Sequence, residues 1–494
     1  MFKSHGNKKD KEKRKDKGKG KAKLEGNGGR LVKEILVRTK GHQLISAGSE
    51  MMTFAPPFTD SPERRIGMVY IGQLNKGNDF GFSGEFWQGL RAIGVERGFK
   101  VLPLFTQTDN NRWMRDSQIT LDDGGILVPW TIKKFDGRGI ELVGIDDFAL
   151  RMMPADSYYN QAKHPDFQKT LGNTYADDSR MVTIQRLRDT GNTPVREGIS
   201  YIEGGNILVV QRPDGEVGAI VGQASLEQSL VVMEMLSAFD AFTRKDIRRM
   251  RELVLARGLT QDQLDALQER LDAANRQAGR PRDRDALEYL VRLELAKELI
   301  AADLGMAPEN VTFVDQPAFH LDVAMAVGPR GRILIQDHAE SEALLDDILN
   351  NIPGLSEADY ALLEQYRATA HDLAAGMQTL TDRIQAQLTA AGYPVSRLPG
   401  QFSTGLPRPH GEFINFFNHL AGTDGAGRMF YITNGAPGMV GQLLKGYYKA
   451  KLVELDYDRE SIYFLADTGG AQESLDKGGA LRCLTAVFPW LDAS

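Results

Sequence analysis

The sequence predicts an α/β fold, and three observations lead there. Short apolar runs bounded by turn residues recur beyond residue 60, and helical stretches lie between them. The composition is that of a globular chain, 41% hydrophobic and 26% charged over 494 residues. Such a chain can bury one large core or two modest ones, and its composition excludes collagen, coiled coil and wholesale disorder.

In chain order, the strand candidates are residues 67–71, 101–105, 126–130, 199–202, 207–210 and 311–314. They continue through 321–327, 333–335, 429–432, 452–455, 462–465 and an apolar run at 486–490. The spacing of Phe86, Leu90 and Ile93 predicts a helix over 85–97. Two longer stretches carry helical signals alone. The first, about 224–304, is an expected insertion of three or more helices. Leu255, Leu259, Leu264, Leu267 and Leu271 give it an apolar face, and Gly258, Gly279 and Pro281 break it. The second starts at Ser356, which with Asp359 suits a capping box, and ends at Gly392 and Pro394. Leu363, Tyr366, Ala370, Leu373, Met377, Leu380 and Ile384 alternate there in steps of three and four. A single apolar stripe faces a core, so the expectation is a helix packed on a sheet, with a cap or dimerisation arm as the alternative.

The net charge of -6 hides an asymmetry, because residues 1–30 hold twelve Lys/Arg against four Asp/Glu. A segment so basic and so poor in large apolar groups cannot fold alone, so residues 1–40 are expected as a disordered basic tail ahead of a domain over 41–494. The tail suits a nucleic acid, an anionic surface or an acidic partner, or merely keeps the chain soluble. The acidic remainder argues against a nucleic-acid-binding core. No apolar run is long enough for a membrane span, and no apolar segment follows the basic N-terminus as a Sec-type signal requires. With Cys483 alone, an intramolecular disulfide and a four-cysteine zinc site are both excluded, and a reducing, cytoplasmic compartment is expected.

Four local features could carry chemistry. Cys483 follows Gly478-Gly479-Ala480-Leu481-Arg482, where glycines let the backbone approach a ligand and Arg482 would favour the thiolate; alternatively it is an inert buried cysteine. In Phe319-His320-Leu321-Asp322, a strand would place His320 and Asp322 on one face as a general acid and base, or as a structural pair. Metal ligation is weaker, because no further His or Cys stands nearby at ligand spacing. Glu203-Gly204-Gly205-Asn206 reads as a carboxylate, a hairpin bend and a backbone wall against a ligand. Arg112-Trp113-Met114-Arg115-Asp116 reads, by composition alone, as a surface loop with an ion pair.

Together these features suit guanidine chemistry. Carboxylates hold a planar guanidinium, a thiolate attacks its carbon, and a histidine protonates departing ammonia and then activates water. In motif order the chain resembles the guanidine-modifying enzymes of the pentein fold: arginine, agmatine and peptidylarginine deiminases and amidinotransferases. The Arg112 to Asp116 loop, the Glu203-Gly204-Gly205 turn, the His320-x-Asp322 pair and the Gly-Gly-x-x-x-Cys-x-Thr ending at Thr485 are similar to the family's motifs. Gly411-Glu412-Phe413-Ile414-Asn415-Phe416 is similar to the segment opening the last repeat of the agmatine type.

The resemblance implies a five-bladed propeller of ββαβ-type units, here with a helical insertion. It implies Cys483 as nucleophile, His320 as general acid and base, and Glu203 as the group that orients His320. Asp116 and Asp322 would clamp the guanidinium, with Trp113 and Arg482 beside the substrate. No metal or other cofactor is needed, and no D-x-D-x-D-G loop suggests calcium. The expected activity is hydrolysis of a guanidino group, on protein arginine or a small arginine-like molecule, to a ureido group and ammonia. An amidinotransferase and a non-catalytic binding protein on the same scaffold are the alternatives.

Overall fold

The computed structural model describes residues 55–74, 83–106, 113–128, 195–197, 200–229, 296–404, 413–476 and 479–491, apart from 201, 213, 227, 228, 298, 299 and 319. The side chains of 73, 74, 105, 106, 116, 117, 128 and 195–197 are also outside the description. The expected tail and nearly all of the expected 224–304 insertion lie outside the described residues.

Five three-stranded sheets share one plan: the first strand runs antiparallel to the middle one, which pairs in parallel with the third. In chain order from β3 they are β3 (Ile119–Thr120), β4 (Ile126–Val128) and β5 (Val195–Glu197); then β6 (Ile207–Gln211), β7 (Val217–Gly222) and β8 (Val311–Val314). Next come β9 (Met325–Val327), β10 (Ile333–Gln336) and β11 (Val395–Leu398), and later β14 (Leu420–Thr423), β15 (Met429–Asn434) and β16 (Ile462–Leu465). The fifth sheet joins the two ends of the described chain, β17 (Thr485–Pro489) pairing with β1 (Ile66–Leu74), which pairs with β2 (Lys100–Thr106). A strand pair, β12 (Gln401–Ser403) with β13 (Phe413–Asn415), lies between the third and fourth of these sheets in sequence. Among the described residues no pairing joins the sheets into a closed ring.

Parallel neighbours need a crossover, and helices supply it. Helix α1 (Ser83–Arg97) links β1 to β2 and buries Phe86, Leu90 and Ile93, the spacing that predicted it. Further helices among the described residues include α2 (Met114–Ser117), α3 (Leu321–Ala324), α4 (His338–Asn351), α5 (Glu357–Ala390), α6 (Gly438–Glu454) and α7 (Gly470–Asp476). Helices α4 and α5 link β10 to β11, and α6 links β15 to β16. The expected insertion falls in the crossover from β7 to β8.

Ser356 caps α5, its Oγ accepting from the Asp359 amide at 3.1 Å. Leu363, Tyr366 and Ala370 pack in one core cluster and Ile384 with Leu388 in another, so α5 is a packed helix across two cores, as the single stripe predicts. Two strand expectations are corrected. Residues 452–454 end α6, where Leu452 is buried by helical spacing, and the 321–327 run divides into the single helical turn α3 and the strand β9. Of the expected 199–202 strand, Ser200 and Ile202 are described and lie outside any strand.

One local device recurs. Each first strand is entered through a tight turn: α2 before β3, a 3-10 turn Gly204–Asn206 before β6, α3 before β9, a bend at 416–418 before β14 and a turn at 481–484 before β17. These turns bring the chemically interesting residues together.

Candidate active site

The turn before β6 depends on its two glycines. A Cβ at Gly205 would stand 2.4 Å from His320 Nδ1, and one at Gly204 would stand 2.3 Å from the Arg115 carbonyl oxygen. These glycines do not make the expected hairpin bend, since β6 and β7 turn back through residues 212–216. Their backbone instead receives the His320 ring, which lies against Gly205. Glu203, extended at φ -88 and ψ 135, precedes the turn and reaches the ring, with Oε2 2.9 Å from His320 Nε2. Both residues are buried.

His320 is the extended residue capping α3, and Asp322 lies inside that turn. The expectation that a strand puts them on one face is therefore corrected: it is a single helical turn that brings them together. One donor atom from each of His320, Asp322 and Cys483 lies within 4.8 Å of the others. That spacing also suits a metal ion, which the sequence hid because Cys483 is far downstream of the pair. The Arg482 guanidinium already balances the charge of Asp322, however, which favours an acid–base–nucleophile cluster. Cys483 Sγ stands 3.8 Å from Asp322 Oδ2.

Asp322 is fully buried, and its two oxygens differ. Oδ2 accepts from Arg482 Nη1 at 2.7 Å, whereas Oδ1 has no hydrogen-bond partner among the described residues. A buried carboxylate oxygen without a donor is costly, so this position is suited to a ligand that brings an N–H.

Arg482 is 2% exposed and turned inward, away from solvent. Its Nη1 also donates to the Gly204 carbonyl at 3.3 Å, while Nη2 donates to Asp60 Oδ2 at 3.0 Å and the Ile207 carbonyl at 2.8 Å. Both terminal nitrogens are so engaged, and Arg482 holds Asp322 in place. Asp60 in turn accepts from Arg115 Nη2 at 2.8 and 3.1 Å and from the Val209 amide at 2.9 Å. Arg115 is thus buried in an ion network, not on the surface loop its composition suggests.

Charge follows this chain of contacts. Burial pushes the Asp60 carboxyl up, but Arg115 and Arg482 outweigh it and hold it below the usual carboxylate range. Burial pushes Arg482 down, and Asp60 and Asp322 more than restore it, so its guanidinium is held firmly charged. Arg115 is lowered, by burial first and then by repulsion from Arg482.

Trp113 is half-buried, its ring where a Cβ on Gly479 would stand 2.5 Å from Cζ3. The Asp116 side chain and Arg112 lie outside the described residues. Two site residues escape sequence reasoning. Asp60 precedes β1 in a stretch with no motif. Asn418 donates from Nδ2 to Cys483 Sγ at 3.2 Å and accepts at Oδ1 from the Arg482 amide at 2.7 Å. A positional signal for it exists: Gly205, Asn418 and Cys483 each stand two residues before the first strand of a sheet.

No family model matches the chain, and no curated protein matches it. Among solved structures it is similar to an agmatine deiminase from C. jejuni, at 10% identity and a TM-score of 0.43, over 90% of this chain and 99% of that one. It is also similar to the N-terminal domain of ArgZ, an arginine dihydrolase from the ornithine–ammonia cycle in cyanobacteria, in a substrate-bound mutant form at 12% identity and a TM-score of 0.31, over 85% of this chain and 98% of that domain.

Proposed function

We propose that the chain is a hydrolase of the deiminase type, converting a guanidino group to a ureido group and ammonia through a covalent cysteine intermediate. The observation that carries this reading is the buried meeting of Cys483, the Glu203–His320 pair and Asp322, whose Oδ1 awaits a donor. In the proposed sequence, Asp322 Oδ1 and Asp116 accept N–H bonds from the guanidinium, and the Cys483 thiolate adds to its carbon. His320 gives a proton to the departing nitrogen, so that ammonia leaves a thiouronium on Cys483. It then takes a proton from water, whose oxygen displaces the sulfur and becomes the ureido oxygen. Glu203 fixes the His320 ring and stabilises its cationic form. Arg482 keeps Asp322 aimed through the 2.7 Å bond to Oδ2. We further propose that the five like sheets are five blades around an axis where their entry turns meet, a reading supported by the sheet that the first and last described strands share.

The test is ammonia and ureido formation by wild type and Cys483→Ser with agmatine, free arginine and an arginine-containing peptide. Cys483-dependent product from one of these is expected and names the substrate class. Product from Cys483→Ser at the wild-type rate overturns the mechanism. Ureido-free transfer to an added amine such as glycine would make the chain an amidinotransferase, and silence throughout would favour a binding role.

A further inference from the structure

Three asparagines, Asn415, Asn418 and Asn434, are each 1% exposed or less and lie between the turn that carries Asp322 and the turn that carries Cys483. Asn415 Nδ2 donates to the Val323 carbonyl at 2.8 Å, and its Oδ1 accepts from the Asn418 amide at 3.3 Å. Asn434 Oδ1 accepts from the Leu481 amide at 3.1 Å, while its Nδ2 donates to the carbonyls of Asn415 at 2.6 Å and Asn418 at 3.3 Å. Both of these side chains therefore work on backbone alone. Asn418 differs, because its amide reaches the reactive atom. Its Oδ1 gathers the Arg482 and Cys483 amides at 2.7 and 3.4 Å, and its Nδ2 donates to the Asp322 carbonyl at 3.4 Å and to Cys483 Sγ at 3.2 Å.

We propose that Asn418 is a further catalytic residue: its Nδ2–H donates to the Cys483 sulfur and stabilises the thiolate, while its Oδ1 fixes the turn that aims that sulfur beside Asp322. A hydrogen bond to the charged form of an acid favours that form. An amide suits the place because it carries no charge of its own. A lysine or arginine there would also favour thiolate, but it would repel the cationic guanidinium that Asp322 receives. Asn418 supplies a donor without that repulsion, and it acts in the resting enzyme before any substrate arrives. When sulfur attacks carbon, its negative charge is consumed and the hydrogen bond weakens; it strengthens again as the sulfur departs in the hydrolytic step, which makes the thiolate the better leaving group.

The role in catalysis rests on the deiminase reading, but the bond to sulfur can be tested without any substrate. Cys483 is the single cysteine, so alkylation of the full chain by iodoacetamide, followed by intact mass, reads this thiol alone. Asn418→Asp keeps the shape and the accepting oxygen and replaces the donor with a carboxylate. We expect its alkylation rate at pH 7 to fall by about tenfold or more and the rate-against-pH curve to move to higher pH, as loss of a donor to a thiolate requires. Asn434→Asp, which loosens backbone contacts but leaves sulfur untouched, should lose melting temperature without a comparable fall. Should Asn418→Asp fail to fold, Asn418→Ser, too short to reach sulfur, is measured in the same way with the same expectation. An unchanged alkylation profile in the folded variant, or an equal fall in Asn434→Asp, overturns the proposal. A slowed thiol in Asn418→Asp together with a wild-type chain inert toward every guanidino substrate would keep the thiolate contact and remove the deiminase reading, so the two fail separately.

Discussion

Arg482 Nη1 and Asp322 Oδ2 stand 2.7 Å apart with neither side chain more than 2% exposed, and the residue after this arginine is the one whose sulfur faces the same carboxylate. The last sheet's entry turn thus both delivers the thiol and pins its neighbouring acid. Removing Arg482 would leave the buried Asp322 carboxylate without its cation, while Asp60 keeps Arg115. Breaking a buried pair from one side costs about 3–5 kcal/mol. We expect Arg482→Met to lose stability on that scale in urea unfolding, and Arg482→Met with Asp322→Asn to recover part of it. A single variant as stable as wild type would show that the network contributes little.

Gly205 offers a sharper probe of the His320 position. An added methyl at 2.4 Å from Nδ1 must displace the ring or the turn, and misplacing a catalytic group by about 1 Å can cost about 100-fold in rate. Gly205→Ala should lower kcat on that scale with a smaller effect on KM. The contrasting change is Gly376→Ala in α5, where a Cβ meets nothing within 4 Å. It should raise stability by up to about 1 kcal/mol through helix propensity and leave turnover unchanged. Equal turnover in both variants would mean that His320 is not held against Gly205 during catalysis.

Chemistry was more legible than connectivity, and the reason is physical. Glu203, His320, Asp322 and Cys483 stand beside glycines or in a short spaced motif, so local sequence exposes them. Asp60 meets Arg482 across 422 positions, and no local pattern encodes such a contact. The helical turn at α3 was hidden for a related reason. Leu321, Val323 and Ala324 form a short apolar run that suits a buried strand or a buried helical turn equally well, and tertiary packing decides between them. Helix α6 was missed because Leu452, Val453 and Leu455 look strand-like in isolation, whereas its buried face, Val440, Leu444, Tyr448 and Leu452, shows itself only over the whole length.

His419 makes the fold sensitive to acid. It is buried, stacked on Tyr431 with ring centroids 4.3 Å apart, and Nδ1 lies 2.8 Å from the Phe417 carbonyl oxygen. Burial is the largest influence and pushes it down to about 4; the Phe417 carbonyl pulls it up next, Arg482 then pushes it down, and Asp60 and the Val327 backbone pull up more weakly. The unfolded chain binds a proton at this residue below about 6.5 and the folded chain does not until about 4, so stability rises with pH in this window and is lost as pH falls through it. The shift corresponds to about 3 kcal/mol at most. His338, pushed down to about 4 chiefly by burial, adds to the same slope. Urea unfolding between pH 4 and 7 should show a shallower dependence in His419→Phe, which keeps a ring against Tyr431 but does not titrate. An identical slope would place the acid sensitivity elsewhere.

Glu203 is expected to act on rate more than on binding. Its Oε2, 2.9 Å from His320 Nε2, orients the ring and favours the imidazolium that forms whenever His320 holds a proton. Glu203→Gln keeps the size and one hydrogen bond but removes the charge, so less His320 carries the proton that the first transfer needs and the ring is a weaker base in the second, while the carboxylate clamp on substrate stays in place. We expect kcat to fall by at least about 100-fold, the low end of what a positioned acid–base group supplies, with KM changed little. Alkylation of Cys483 in the same variant separates two routes for the loss. If the thiol reacts at its wild-type rate, the defect lies in proton transfer, as proposed. If it slows in step with kcat, Glu203 supports the thiolate through His320, and the two residues belong to the activation of sulfur rather than to the departure of ammonia.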